Sequence, residues 1–215
     1  MISTTSYNCS YTSLVDIATG DVLGELERRY GTNGRAGERG EAMFERGLKA
    51  FGISEIYTVR HSLNIPDAGR KPMQGDVDFI LGFSTRVVLA DLKLWNSNEA
   101  MWTTPDGQLM HGDTPDPKRP SRNMEIALER YSELLPHCKV SAMVIFMPSD
   151  GGAETEIDVD RFIWPGNIRS YSASQSYSEI ARRIGRIGPL GVPHALDPAM
   201  DKLLTAMQKS NTVDR

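Results

Sequence analysis

Residues 75–95 read GDVDFILGFSTRVVLADLKLW, and the fold turns on how this stretch is parsed. Two apolar runs flank Gly82-Phe83-Ser84, which predicts two antiparallel strands joined by a tight turn. Strand side chains alternate between faces. Val87, Leu89, Asp91 and Lys93 therefore share one face, and Val88, Ala90, Leu92 and Leu94 share the other. Both faces are apolar as far as Asp91, the pattern of a central strand covered on both sides. Asp78 opens the first strand. In an antiparallel pair the start of one strand lies beside the end of its partner, so Asp78, Asp91 and Lys93 are expected as neighbours.

Carboxylates are rarely buried without partners, and two at close range raise each other's proton affinity. A divalent cation removes that penalty, and oxygen ligands favour Mg²⁺ or Mn²⁺ over zinc. A lysine beside the cation can orient a water or stabilise charge growing on a phosphate oxygen. These are the requirements of phosphodiester hydrolysis. The plainer reading is a salt bridge at the sheet's edge, with Asp91 paired to Lys93 or an arginine, and a bare D-x-K does not choose between the two.

Working outward, GTNGRAG at 31–37 reads as a Gly-rich loop, without the frame of a phosphate-binding P-loop. ERGEAMFERGLKAFG, from Glu38, reads as a helix with Met43, Phe44, Leu48 and Phe51 on one side and Gly52 as its stop. SEIYTVRH alternates like a strand. The polar, Pro- and Gly-rich segment 96–120 is long for a loop inside a compact domain, and its TPDG suggests a small hairpin. SRNMEIALERYSELL reads as a helix capped by Ser121, with Met124, Leu128, Tyr131 and Leu135 on its apolar face. KVSAMVIFMP is a strand and RFIWPG a short one. SYSEIARRIGRIG is a helix, and DPAMDKLLTAMQKS is a last helix with Asp197 as N-cap and Pro198 at its first position. Residues 14–31 suit either a hairpin around Gly20 or a turn into a helix. The core order αβββαβ suits an α/β domain with a mixed sheet flanked by helices. The strand reached through a helix is expected parallel to an earlier one.

The chain has 215 residues, 40% hydrophobic and 24% charged, with a net charge of -4. It is long enough for one substantial domain, and a surface basic all over is excluded, though a basic patch is not. Two cysteines, Cys9 and Cys138, suit free thiols in a reducing cytoplasm rather than a disulfide framework. Residues 1–13 lack the charged and apolar segments of a secretory leader, and no apolar run has the length of a membrane span.

GERGEAMFERGLKAFG, GDVDFILGFSTRVVLADLKLW and PSRNMEIALERYSELL followed by KVSAMVIFMP, taken together, resemble the PD-(D/E)xK nuclease superfamily, and more closely its nuclease-related domain (NERD) branch. Gly40-Glu41 matches the Gly-Glu pair of that branch's opening helix. Asp78 stands at the first acidic position, and Asp91 to Lys93 at the (D/E)xK position. Trp95 matches an aromatic that often follows the lysine. The similarity spans residues 37–148, leaving 1–36 as an N-terminal extension and 149–215 as a C-terminal strand and helices packed on the core. The resemblance implies a restriction-endonuclease-like core and a Mg²⁺- or Mn²⁺-dependent nuclease acting on DNA. It implies Asp78, Asp91 and Glu41 as metal ligands and Lys93 as the group that assists the attacking water. Glu45 and Asp76 stand behind Glu41 as further candidates. The chain departs from the branch in carrying Asp91 where glutamate is commoner, and Arg122-Asn123-Met124 where a glutamine is often found. Asn123 is the best substitute for that glutamine.

Arg39 in the first helix, Arg122 and Asn123 at the start of the second, and Trp102 in the long loop are the candidate nucleic-acid contacts. Trp102 would serve as a stacking surface for bases on a flap over the cleft. Other basic residues, Lys118, Arg119, Arg182, Arg183 and Arg186 among them, suit either phosphate contacts or solvated faces. The rival functions are a catalytically inactive module that binds nucleic acid or protein, and a structural component of a phage or plasmid assembly. A homodimer or larger assembly is compatible with all of these, and a membrane partner with none.

Overall fold

The computed structural model describes residues 32–66, 75–95, 99–148, 154–184 and 196–207, which belong almost entirely to the larger of the chain's two units, Ala36–Arg215. The readings of residues 14–31, of Cys9 and of Arg186 lie outside the described residues.

Six strands form a mixed sheet in the order β1-β2-β3-β7-β9-β8. These are β1 (Thr58–Asn64), β2 (Asp76–Phe83), β3 (Arg86–Leu94), β7 (Lys139–Met147), β8 (Ile163–Trp164) and β9 (Ile168–Ser172). The expected hairpin is present: β2 and β3 pair antiparallel from Phe83↔Arg86 to Phe79↔Ala90. Its turn is Ser84-Thr85, one residue later than the sequence suggested, with Ser84 at positive φ. β7 runs parallel to β3 along its whole length, as a strand reached through a helix should.

Two apolar layers cover the sheet. Helix α1 (Thr32–Ala50) and helix α4 (Ala173–Ile184) supply Phe44, Leu48, Tyr177 and Ile180, which bury Phe79, Leu81, Val88, Ala90 and Ile145. A short helix α2 (Ile53–Ile56) adds Ile53 to that layer. On the other face helix α3 (Arg122–Leu134) and helix α5 (Pro198–Met207) supply Met124, Ala127, Tyr131, Met200 and Leu204 against Val77, Val87, Leu89 and Val144. A three-stranded meander, β4 (Met101–Thr103), β5 (Leu109–His111) and β6 (Thr114–Asp116), seats Met101 and Leu109 in the same layer. Each apolar stripe found a partner, so the fold is a mixed α/β sandwich with the sheet in the middle.

Several local signals act as read. Gly52 ends α1 in the left-handed region with φ 67, where glycine carries no Cβ penalty. Asp197 Oδ1 accepts the N–H groups of Ala199 and Met200 at 3.0 and 3.2 Å and caps α5. Others differ. The segment 32–37 is the first part of α1 rather than a loop; glycine's cost of about 1 kcal/mol in a helix is a local preference that a continuing helix can override. Phe51 lies just past α1 and is 57% exposed, although its ring stacks 4.7 Å from that of Tyr177. Ser121 precedes α3 but caps no backbone N–H; its hydroxyl donates to Glu125 at 2.8 Å. The segment 99–116 holds a meander rather than a single hairpin. β9 was not anticipated at all.

Candidate active site

The alternation of β2 breaks at Asp78. Val77 and Phe79 are two residues apart and should share a face, yet Val77 packs with the α3 layer and Phe79 with the α1 layer. The ladders break at the same place. β1 pairs with β2 on either side of Ser62 and Asp78 but not there, and Ser62 has φ 50. The β2–β3 ladder stops at Phe79↔Ala90. The next N–H on β3, that of Leu92, donates to Asp78 Oδ2 at 2.6 Å. A side-chain carboxylate has taken over the role of the next main-chain carbonyl, which fixes Asp78 against the end of β3.

Asp91 is 4% exposed. Lys93 Nζ lies 2.6 Å from Asp91 Oδ2, with its own side chain 33% exposed. The contact is an ion pair at hydrogen-bonding distance, and the ammonium offsets part of what burial costs the Asp91 carboxylate.

The charges of the cluster act on one another. Burial and then the Asp91 carboxylate push Asp78 up to about 7, against the opposing pull of the Leu92 N–H and Lys93; Glu41 adds a smaller upward push. Burial raises Asp91, Lys93 opposes it, and Asp76 adds to the rise. Burial also raises Glu41, helped by Asp76 and Glu38. Glu41 on α1 is near enough to Asp76 and Asp78 for their charges to act on one another. Its neighbour Gly40 sits over Leu94, with room for a Cβ only 3.5 Å from the Leu94 side chain. Asp76, ranked behind Glu41 from sequence, is a full member of the cluster, while Glu45 is exposed one turn further along α1.

The expected nucleic-acid contacts fare differently. Arg39, Arg122 and Asn123 are exposed. Trp102 is not at the carboxylates. Its indole N–H donates to the Gly112 carbonyl at 2.9 Å, Arg161 stacks 3.8 Å from its ring, and it lines an open groove with Asp160, Arg161 and Trp164. Thr103 beside it bonds to Arg161 and Ile163. That places β4 by β8, three strands from β3 in the sheet order, or about 14 Å by strand spacing. The aromatic that stays with the carboxylate end is Trp95. Two of the arginine candidates are already engaged: Arg182 and Arg183 share the single Glu179 carboxylate. Arg119 likewise pairs with Glu125.

Among the described residues no three histidine, cysteine, aspartate or glutamate groups stand together as a ready cation cage, and no helix is long and apolar enough to cross a membrane. No family model, curated protein or solved structure matches the chain.

Proposed function

We propose that the chain is a metal-dependent nuclease of the restriction-endonuclease-like type that hydrolyses phosphodiester bonds in DNA. One observation carries the reading. Asp78 and Asp91 push on each other's charge at the end of the β2–β3 hairpin, Lys93 sits on Asp91 at 2.6 Å, and Glu41 and Asp76 add two more carboxylates to the same cluster. A structural salt bridge explains the lysine but not the second and third carboxylates.

The donor set suits a hard cation. Mg²⁺ is commonly held by one or two carboxylates, its remaining positions filled by water and substrate phosphate, so Asp78 and Asp91 would hold it with Glu41 or Asp76 behind them. When bound, Mg²⁺ or Mn²⁺ would offset the carboxylate repulsion and polarise a phosphate oxygen. The protein's own groups have separate tasks. Asp78 keeps its place through the Leu92 N–H. Lys93, a third exposed, can turn its ammonium from Asp91 toward a water or a phosphate oxygen and stabilise the charge that grows there. The apolar layers beneath exclude water from the carboxylates and strengthen these interactions.

Incubation with plasmid and single-stranded DNA, in Mg²⁺, Mn²⁺ or EDTA, tests the reading. Cleavage with either metal and none in EDTA is expected. Intact DNA under every metal condition would leave the inactive binding module in its place.

A further inference from the structure

Beyond the carboxylates, β3 leads into a second cluster. Trp95 follows Lys93 by two residues and its backbone N–H continues the pairing to Met147 at 3.2 Å. By strand parity it stands on the face of Asp91 and Lys93. Its ring lies 5.5 Å from that of His111 and 5.7 Å from that of Phe146. Lys118 Nζ sits over it, 4.2 Å from the centroid. Asp116 closes the arrangement. One carboxylate oxygen accepts the Lys118 backbone N–H at 2.9 Å, and the other lies 3.2 Å from His111 Nε2. Gln108 Nε2 also donates to the Asp116 carbonyl, at 2.5 Å.

An exposed lysine ordinarily gains little from being held in one place, because ordering it costs up to about 2 kcal/mol of rotamer entropy. Lys118 is exposed and is held twice, by its backbone through Asp116 and by its ammonium over Trp95. The adjacent Arg119 is neutralised by Glu125. Among the described residues no carboxylate pairs with the Lys118 ammonium, so its charge stays available. Lys93 and Trp95 are separated by about 7 Å along the strand, a distance comparable to one phosphate's step along a polynucleotide.

We propose that Lys118, seated on Trp95 and braced by Asp116, binds the backbone phosphate that adjoins the scissile one in a polynucleotide. The position of that phosphate rests on the nuclease reading of the neighbouring carboxylates. Trp95, His111 and Asp116 are positioning residues: they act through the lysine. The ligand is a polyanion read by charge and spacing, so no base preference comes from this corner.

Fluorescence anisotropy of a labelled single-stranded oligonucleotide in EDTA tests it without requiring cleavage. Lys118→Ala should weaken binding about five- to tenfold at 0.1 M salt and lower the slope of log affinity against log salt by about one, the signature of one lost phosphate contact. Lys118→Arg should restore it. Lys139→Ala, at the opposite end of the parallel strands, should change nothing. Asp116→Asn should weaken binding less than Lys118→Ala, and the double variant should be no worse than Lys118→Ala alone. Where cleavage is measurable, Lys118→Ala should raise KM and leave kcat near wild type. Inorganic phosphate should compete only at concentrations far above those of the oligonucleotide. Unchanged binding in Lys118→Ala, no binding by wild type, or equal competition by free phosphate each overturns the proposal. A wild type that binds through Lys118 but cleaves nothing in Mg²⁺ or Mn²⁺ keeps the corner and sinks the nuclease reading alone.

Discussion

The Asp78 carboxylate accepts the main-chain N–H of Leu92 at 2.6 Å, where the β2–β3 ladder has run out of backbone partners. The bond survives protonation of the other oxygen, so it does not force Asp78 to be charged. Burial and the Asp91 charge hold Asp78 up to about 7, well above its unfolded value near 4. The folded state thus binds a proton that the unfolded state has released. The stability tied to that proton is complete below the unfolded value and is lost as pH rises through about 7. Asp78→Asn mimics the protonated form and should escape the loss. In EDTA the melting temperature of Asp78→Asn should rise relative to wild type between pH 5 and pH 8. A difference that stays constant over that range would show that the Asp78 carboxyl is not raised in the folded protein.

On the proposed nuclease reading, Asp91 and Lys93 separate metal binding from hydrolysis. Removing Asp91 relieves carboxylate repulsion, so Asp91→Ala in EDTA should melt no lower than wild type and should lose all metal-dependent cleavage. Wild type should be stabilised by Mg²⁺, by about 2.7 kcal/mol at a hundred times Kd, and Asp91→Ala should lose that gain. Lys93→Ala should keep it, because an ammonium is no ligand, while cleavage is lost. Calorimetric scans with and without Mg²⁺ check both. A Mg²⁺ response in Asp91→Ala equal to that of wild type would remove Asp91 from the metal site.

The hairpin, the central strand and the convergence of Asp78, Asp91 and Lys93 were legible because period-two alternation with one late pair of charges admits few parsings. Asp76 was harder to place, because strict parity fails at Asp78: the ladders open and the strand turns its next side chain to the other layer. β9 was hidden for a different reason. Its sequence IRSYS looks like loop, but Ser170 is fully buried, its hydroxyl accepting the Trp164 indole N–H at 2.9 Å. Small polar residues that find a partner can serve as core. The sequence points Trp102 toward the cleft because its segment leaves from the end of β3. The connection carries it to β8, and nothing in local sequence encodes how far a meander travels before it packs. Trp95, read only as part of a resemblance, is the aromatic that remains at that end.

Glu179 anchors the far end of α4. It accepts from Arg182 at 2.6 Å twice and from Arg183 Nε at 2.7 Å. Arg183 in turn donates to the Ala142 carbonyl of β7 at 2.9 Å and to the Tyr171 hydroxyl at 3.2 Å. Burial alone would raise Glu179, but the arginine bonds outweigh it and bring it down to about 2. A depressed carboxylate contributes stability that is present above its unfolded value and lost as pH falls toward 2. Glu179→Gln should therefore destabilise at pH 7 by on the order of 1–2 kcal/mol, reduced by the exposure of Arg182, and hardly at all at pH 2. Urea melts at the two pH values check this, and an equal loss at both would mean that packing rather than charge is at stake.

The packing of α1 on α4 passes through a single missing side chain. A Cβ at Gly47 would fall within 1.9 Å of the Tyr177 hydroxyl and 2.8 Å of its ring carbon Cε1. Tyr177 stacks between Phe44 and Phe51, at 5.5 and 4.7 Å, so it cannot slide away without breaking that stack. In an open helix position Gly→Ala would stabilise by about 1 kcal/mol. Here overpacking of about 1–3 kcal/mol opposes it, and Gly47→Ala should come out destabilising. Because α1 also carries Glu41, cleavage should fall along with stability. The sign should reverse when the obstacle is removed: in a Tyr177→Ala background, Gly47→Ala should stabilise relative to Tyr177→Ala alone. Chemical denaturation of the four proteins of this cycle measures the coupling. Equal effects of Gly47→Ala in both backgrounds would mean that Tyr177 does not lie across Gly47.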